Sequence, residues 1–456
     1  MTALSPLLLC WLAAPFFLLL DGRRPAVSWA AAGLLGAVTA LDIVLLAQMA
    51  WGDRPPLVTV TGGWPVGLGI RLRVDGLALF FGAVSAAVIT AAMVHDRGPR
   101  ARSAYLPALL LFMCAGLHGA FFTGDLFNFY VFFEVSVVTS FALAAYGYGR
   151  QEARAAFIYI AVNLLGSVIF LTGIAVVYHQ TGMLDLMSLW QRGEGTWSGI
   201  SHLGAALLFC ALSLKLGLFP LHYWVPVLYS NAHPAVAAVM SGALINIGSY
   251  GLLRIGMTAA EASRAAGSDL LLLIGSLAVL YGGILASQRV RLAEILAYAS
   301  IAQAGYVVIG LGVGGIAGTA AALFAVLAGS IEKAAGFLSL ESAGRWRTLS
   351  ALAGAAGVAG LPVTLGFLTK VELFRAAWTS GAAPGLFLAL IGATGFLFVA
   401  MARFWGGLRR VPAPPAPSVG PPAVLAALTV GLGAAAAPLG ALVLWLSHAL
   451  LEGRTP

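Results

Sequence analysis

Apolar residues along this chain fall in long blocks separated by short polar connections, without the alternation of a half-buried strand. Crossing a bilayer as a helix takes about 20 apolar residues, and fourteen stretches of roughly that length can be marked, from 4–20 and 27–49 to 386–405 and 424–451. Inside lipid the backbone has no water to bond to, so helix is the form such blocks must take. The segment 57–74 is different: Gly62-Gly63-Trp64-Pro65 precedes an alternation around Arg71 and Arg73, which predicts a surface β-hairpin. Residues 412–422 are a Pro-rich connector before the last apolar stretch. The pattern predicts an all-α polytopic membrane protein with about 14 transmembrane helices.

Composition narrows the class further. Of 456 residues, 60% are hydrophobic and 9% charged, and the mean hydropathy is +0.95; no soluble enzyme sustains this over such a length. Cys10, Cys114 and Cys210 lie far apart in apolar stretches, so neither a disulfide framework nor a metal or iron–sulfur site is implied. No flavin, haem or other cofactor signature is present, and Gly310-Leu311-Gly312-Val313-Gly314-Gly315 lacks the preceding strand of a dinucleotide fingerprint. The net charge of +8 reads as the arginine bias of cytoplasmic loops and not as nucleic-acid binding. With both termini outside, the odd-numbered connections carry fourteen Arg, among them Arg23, Arg24, Arg289 and Arg291, against seven opposite, among them Arg54, Arg73 and Arg254. The first stretch lacks a basic leader and reads as a spanning helix.

Lysine is used differently from arginine. The 25 basic residues include only three lysines, Lys215, Lys333 and Lys370, all in or at the edge of apolar segments. Arg stays charged under nearly all conditions, whereas Lys exchanges its proton readily when buried. Intramembrane charges are costly and commonly mark ion or proton paths. Glu134 lies among aromatics in Asn128-Phe129-Tyr130-Val131-Phe132-Phe133-Glu134, as a titrating carboxyl or as half of a fixed ion pair. Lys215 precedes Gly217 and Pro220, and Lys370 follows Gly360 and Pro362, so spans 7 and 12 read as broken helices. Paired interrupted helices point to an inverted repeat. The chain then divides into 1–104 (helices 1–3 with the hairpin), 105–257 (helices 4–8), 258–410 (helices 9–13) and 411–456 (connector and helix 14).

Other polar residues admit two readings. Lys333 beside Glu332 is a titrating group or an interhelical ion pair. His118, His222 and His233 are proton relays or hydrogen-bonded core residues, and Asp42 is as well suited to packing. Glu294 and Glu372, near helix ends, can snorkel to water.

These motifs resemble the antiporter-like membrane subunits shared by Mrp-type cation/proton antiporters, respiratory complex I and membrane-bound hydrogenases. They include Gly62-Gly63-Trp64-Pro65 with Val74-Asp75-Gly76-Leu77, Thr123-Gly124-Asp125-Leu126 leading to Glu134, Phe219-Pro220-Leu221-His222-Tyr223-Trp224 after Lys215, and Leu296-Ala297-Tyr298-Ala299-Ser300. Gly360-Leu361-Pro362 leading to Lys370 completes the set, and the look is most like the D-type subunits of Mrp antiporters. The resemblance implies two inverted five-helix repeats with broken helices 7 and 12. It also implies a midplane proton relay through Glu134, Lys215, Lys333 and Lys370, supported by His222, His233, Asn246, Pro220 and Pro362. Protons, Na+ or another monovalent cation, other membrane subunits and the lipid bilayer are the implied partners, and the cell membrane the location.

Three departures from the pattern stand out. Asn246 stands where many relatives carry a lysine, Ala293 and Glu294 replace basic residues, and Gly329 and Ser330 replace a histidine. Asn can hold a water but cannot store a proton. The competing readings are a proton-pumping subunit of a quinone- or hydrogen-linked complex, a structural subunit with an impaired path, and a stand-alone solute transporter.

Overall fold

The computed structural model describes residues 2–52, 54–65, 69–96, 103–146, 149–192, 202–256, 266–342, 344–412 and 420–451. The hairpin turn at 66–68, Arg97, Arg100, Arg102, Arg264 and Arg454, and the connector residues 413–419 lie outside the described residues. The apolar blocks become α1 (Ser5–Leu18), α2 (Pro25–Trp51), α3 (Gly76–His95), α4 (Leu106–Phe122), α5 (Leu126–Ala144) and α6 (Arg150–Thr181). A short α7 (Leu186–Arg192) precedes α8 (His202–Leu216), α9 (Trp224–Tyr229) and α10 (Pro234–Ile255). Then come α11 (Ala266–Gln288), α12 (Leu292–Val313), α13 (Gly315–Ser339), α14 (Gly344–Ala359), α15 (Leu365–Thr379) and α16 (Pro384–Leu408). The chain ends with α17 (Gly420–Ala434) and α18 (Ala436–Leu451).

Among the described residues, nine helices are long and apolar enough to cross a membrane, and ten if the bent pair at the end counts as one. α1, α4 and α8 are shorter apolar helices. α3, α10, α12 and α13 are buried on nearly every side, while α2, α6, α11 and α16 keep a broad apolar face outward. Because lipid accepts the same residues as the protein interior, these outer helices need no polar face, and close packing must come from small side chains. On the tightly packed α11–α12 pair, a Cβ at Gly282 would sit 2.5 Å from the Ala302 nitrogen and one at Gly305 would sit 2.8 Å from the Gly275 carbonyl oxygen. The glycine run after Ile309 serves the same purpose. Gly310 meets Gly318 across the α12–α13 corner, and Gly314 turns it at φ 69°.

The last apolar stretch, expected as one helix, is bent by 85° between α17 and α18. Pro438 supplies the reason: it has no N–H and its ring collides with the carbonyl four residues earlier, at Ala434.

Strands β1 (Leu57–Val60) and β2 (Arg71–Val74) pair antiparallel, Leu57 opposite Val74 and Val60 opposite Arg71. Their anchor is Asp75. Its carboxylate caps α3 by accepting from the Ala78 N–H at 3.0 Å and pairs with Arg254 at 2.7 Å and Arg73 at 3.0 Å. Arg254 also donates to the Tyr250 hydroxyl at 3.0 Å, which donates to the Phe121 carbonyl at 2.6 Å. The hairpin, α3, α4 and α10 are thus tied at one point. Burial by itself would push the Asp75 carboxyl up, but the Arg254 and Arg73 guanidiniums and its hydrogen bonds hold it at about 2. Removing one member of such a buried pair costs about 3–5 kcal/mol, so Asp75→Asn should lower the melting temperature of the purified chain. A carboxyl depressed on folding contributes stability fully above its ordinary value and loses it only as pH falls toward 2. The wild-type advantage is therefore expected to be constant from pH 5 to pH 8 in thermal melts.

Candidate functional site

Span 7 breaks after Lys215. α8 ends at Gly217, whose φ of 67° is a left-handed conformation that favours glycine. The N–H groups of Gly217 and Leu218 turn back to the carbonyls of Leu214 and Ser213. The Trp224 indole N–H donates to the Leu214 carbonyl at 2.9 Å, so acceptors freed by the break are bonded at membrane depth. Pro220 follows in a cis Phe219–Pro220 bond. The Lys215 ammonium is buried; it donates to the Asn163 carbonyl of α6 at 3.2 Å and lies 4.5 Å from the centroid of the Phe133 ring. Glu134 is the next residue after Phe133 on α5, half-buried, with Oε1 shielded and without a hydrogen-bond partner. Glu134 and Lys215 form no direct ion pair; a neutral carbonyl and a ring face hold the ammonium instead.

Span 12 breaks in a related way. α14 ends at Gly360, φ 78°, and the N–H groups of Gly360 and Leu361 turn back to Gly357 and Ala356. Pro362 follows, then Val363 at φ 68°, a strained backbone for a β-branched residue of the kind that collects at functional sites. Thr364 caps α15 by accepting from the Phe367 N–H. Lys370, on the second half-helix, reaches back and donates to the Val358 carbonyl at 3.0 Å, at the C-terminal end of α14. Glu332 of α13 accepts from the Gly366 N–H at 2.8 Å, at the N-terminal end of α15. A cation therefore sits at the negative end of one half-helix and a carboxyl at the positive end of the other. The two breaks are not equivalent: Lys215 lies two residues before its glycine, Lys370 ten after.

Between the breaks lies a small cavity of about 10 Å³, lined by Leu216, Asn246, Gln303, Ser330 and Lys333 among others. It has room for about one water. Asn246 donates to the Ser85 hydroxyl at 3.1 Å and the Gly242 carbonyl at 3.0 Å, and its oxygen accepts from the Ser330 hydroxyl at 3.1 Å. It follows a π-helical turn at Met240–Leu244, a distortion frequent at functional sites. Gln303 Oε1 is buried beside the cavity without a hydrogen-bond partner.

The histidines occupy different settings. His233 stands at the N-terminal end of α10 and faces Glu341 at 3.2 Å and Asp96 at 3.8 Å; Asp96 accepts from the Tyr146 hydroxyl at 2.7 Å. His95 joins the same cluster, 4.0 Å from Glu341. His222 stacks on Phe219, meets the Tyr281 ring edge-on and lines a separate, larger cleft. His118 pairs with Asp42 at 2.8 Å between α4 and α2, away from both breaks.

Residues 123–397 match the family described as NADH:quinone oxidoreductase/Mrp antiporter, transmembrane. The chain belongs to this family. It is 30% identical over 376 residues to the D subunit of the Na(+)/H(+) antiporter of Alkalihalophilus pseudofirmus, covering 76% of each chain. It is 34% identical over 374 residues to the N subunit of the NADH-quinone oxidoreductase of Desulforudis audaxviator, covering 76% of this chain and 74% of that one. Its fold is similar to a chain of the Mrp complex from Dietzia, with a TM-score of 0.86 at 24% identity over 99% of this chain and 96% of that chain.

In the sequence of this family member, Glu332 stands out only as the neighbour of Lys333. Successive helical residues point about 100° apart, so Glu332 and Lys333 serve different surroundings, the span 12 break and the cavity. No one-dimensional signal marks this, because the partner of Glu332 is a backbone N–H 34 residues away. Asp42 and His118, likewise, are a pair only in three dimensions.

The span 12 break gives a direct test. A Cβ at Gly360 would lie 2.3 Å from the Lys370 ammonium in a left-handed backbone. Gly360→Ala is expected to cost about 1–2 kcal/mol for the backbone alone and to displace Lys370, lowering the melting temperature more than Gly385→Ala, where a Cβ meets nothing within 4 Å.

Proposed function

We propose that this chain is a proton-translocating subunit of a multisubunit monovalent cation/proton antiporter in the cell membrane, with Na+ as the exchanged cation. The observation that carries the reading is the buried row of Lys215, Asn246 with Lys333, and Glu332 with Lys370, each at a helix break or polar cavity. The relatives named as D subunits of antiporters and the family membership support it.

In this reading Glu134, Lys215, Lys333 and Lys370 store and pass protons. The carbonyl and ring that hold Lys215 carry no charge, so its proton equilibrium responds to the state of Glu134. Asn246 orients a water between the span 7 break and Lys333 without storing a proton. Glu332 and Lys370 cap opposite ends of the span 12 break, so a change of protonation alters the caps and the break together. The cluster of His233, Glu341, Asp96 and His95 is the port to the arginine-rich, cytoplasmic side, with both termini outside. The breaks suit two inverted repeats, 105–257 and 258–410, flanked by 1–104 and 411–456.

Glu134→Gln and Lys215→Ala should each reduce gradient-driven proton movement in vesicles containing the whole complex at least tenfold, with the complex still assembled. Undiminished transport in both variants would overturn the relay. A changed rate in Asn246→Lys marks a working path, whereas a structural subunit would be indifferent.

A second reading, a membrane subunit of a quinone-reducing complex, is favoured by the 34% identity to the N subunit of an NADH-quinone oxidoreductase. Proteins copurifying with the chain separate the two: small multi-pass subunits support the antiporter, and iron–sulfur subunits support the redox complex.

A further inference from the structure

A cleft of about 560 Å³, lined by none of Glu134, Lys215, Lys333 and Lys370, lies between the start of α6, the α9 segment and the α11–α12 corner. Its charge is positive. Arg154, Arg289 and Arg291 line it with Glu294. Arg291 is committed, donating to the Ser230 carbonyl at 3.0 Å and pairing with Glu294 at 3.2 Å. Arg289 lies with its guanidinium 4.7 Å from the centroid of the Tyr298 ring, and its buried Nε donates to no protein acceptor. A guanidinium stacked on a ring keeps its edge donors free, and their fork matches the oxygens of a phosphate.

The location selects the source of that phosphate. α6 begins at Arg150, α11 ends at Gln288 and α12 begins at Leu292, so the cleft lies at the helix ends, where a bilayer gives way to water. Ile158 lines the cleft; Phe157 beside it and Leu164, Leu165 and Val168 further along α6 are all exposed. A basic pocket between spanning helices that continues into an apolar outer face suits a molecule with an anionic head and hydrocarbon tails. A soluble phosphate would leave the apolar part unused.

We propose that this cleft binds the phosphate headgroup of an anionic phospholipid through Arg154 and Arg289, with the acyl chains along the outer face of α6. The site touches His222, Tyr223 and Pro226, so the bound lipid braces the segment that carries the span 7 break.

The test is native mass spectrometry of the full chain in its complex, exchanged into equal phosphatidylglycerol and phosphatidylcholine. The wild type should retain phosphatidylglycerol selectively, and Arg154→Gln/Arg289→Gln should reduce retention at least tenfold. Gln151→Glu, which places a carboxylate at the exposed rim without changing shape, should also weaken retention and keeps the test informative if the double variant fails to fold. Arg23→Gln/Arg24→Gln, on the α1–α2 connection whose helices pack on α3 and α4 and line no part of the cleft, should change nothing. The proposal is overturned if the double variant keeps its lipid or if the remote pair loses as much. It is equally overturned if millimolar inorganic phosphate binds while phosphatidylglycerol is not retained, or if Gln151→Cys crosslinks to a neighbouring subunit and not to lipid.

Discussion

A bilayer offers no hydrogen bonds, and every other feature of this molecule follows from how polar groups are satisfied without water. Regular helix meets the demand for most of the chain. The breaks beside Lys215 and in span 12 interrupt helix among buried charges, and both are resolved by local means: a left-handed glycine, turned-back N–H groups and a side chain that reaches a freed backbone group. At the span 7 break that side chain is the Trp224 indole. At the span 12 break the charged groups themselves do it, Lys370 at one half-helix end and Glu332 at the other.

This dual use ties chemistry to architecture. Side chains that cap a break cannot change protonation without changing the local hydrogen bonding, so the proposed relay would move the backbone environment as it worked. Asn246 fits the same logic: its amide links Ser85 on α3 to Ser330 on α13 across α10, giving a polar bridge through the most enclosed part of the protein without adding a charge. The Asp75 cluster is the contrasting case. Its carboxylate and two guanidiniums have fixed charges, and it fastens the hairpin to α3 and α10.

Much of the plan was legible along the chain. The apolar blocks, the hairpin alternation, the breaks beside Gly217 and Gly360, and the rarity of lysine all rest on composition and local sterics, which a single strand of text records. The bend in the last stretch was also present, in Pro438, but was masked by uninterrupted hydropathy. The roles of Gly310 and Gly312 needed the neighbouring helices, since a side chain there would meet the Gly318 backbone and Leu272 respectively.

The sequence by itself determined that the chain lies in membrane, where its helices fall, where two of them break, and which few charges are left inside, because each of these depends on a residue and its immediate neighbours. Tertiary structure alone decided which charge meets which partner. Glu134 and Lys215 stand together in the expected relay and form no direct ion pair, whereas Glu332 with Gly366 and Asp42 with His118 are hydrogen-bonded and did not read as pairs. The reason is physical: a side chain inside the bilayer is satisfied by whatever polar group another helix brings within about 3 Å, and helix packing, not sequence spacing, decides what that is.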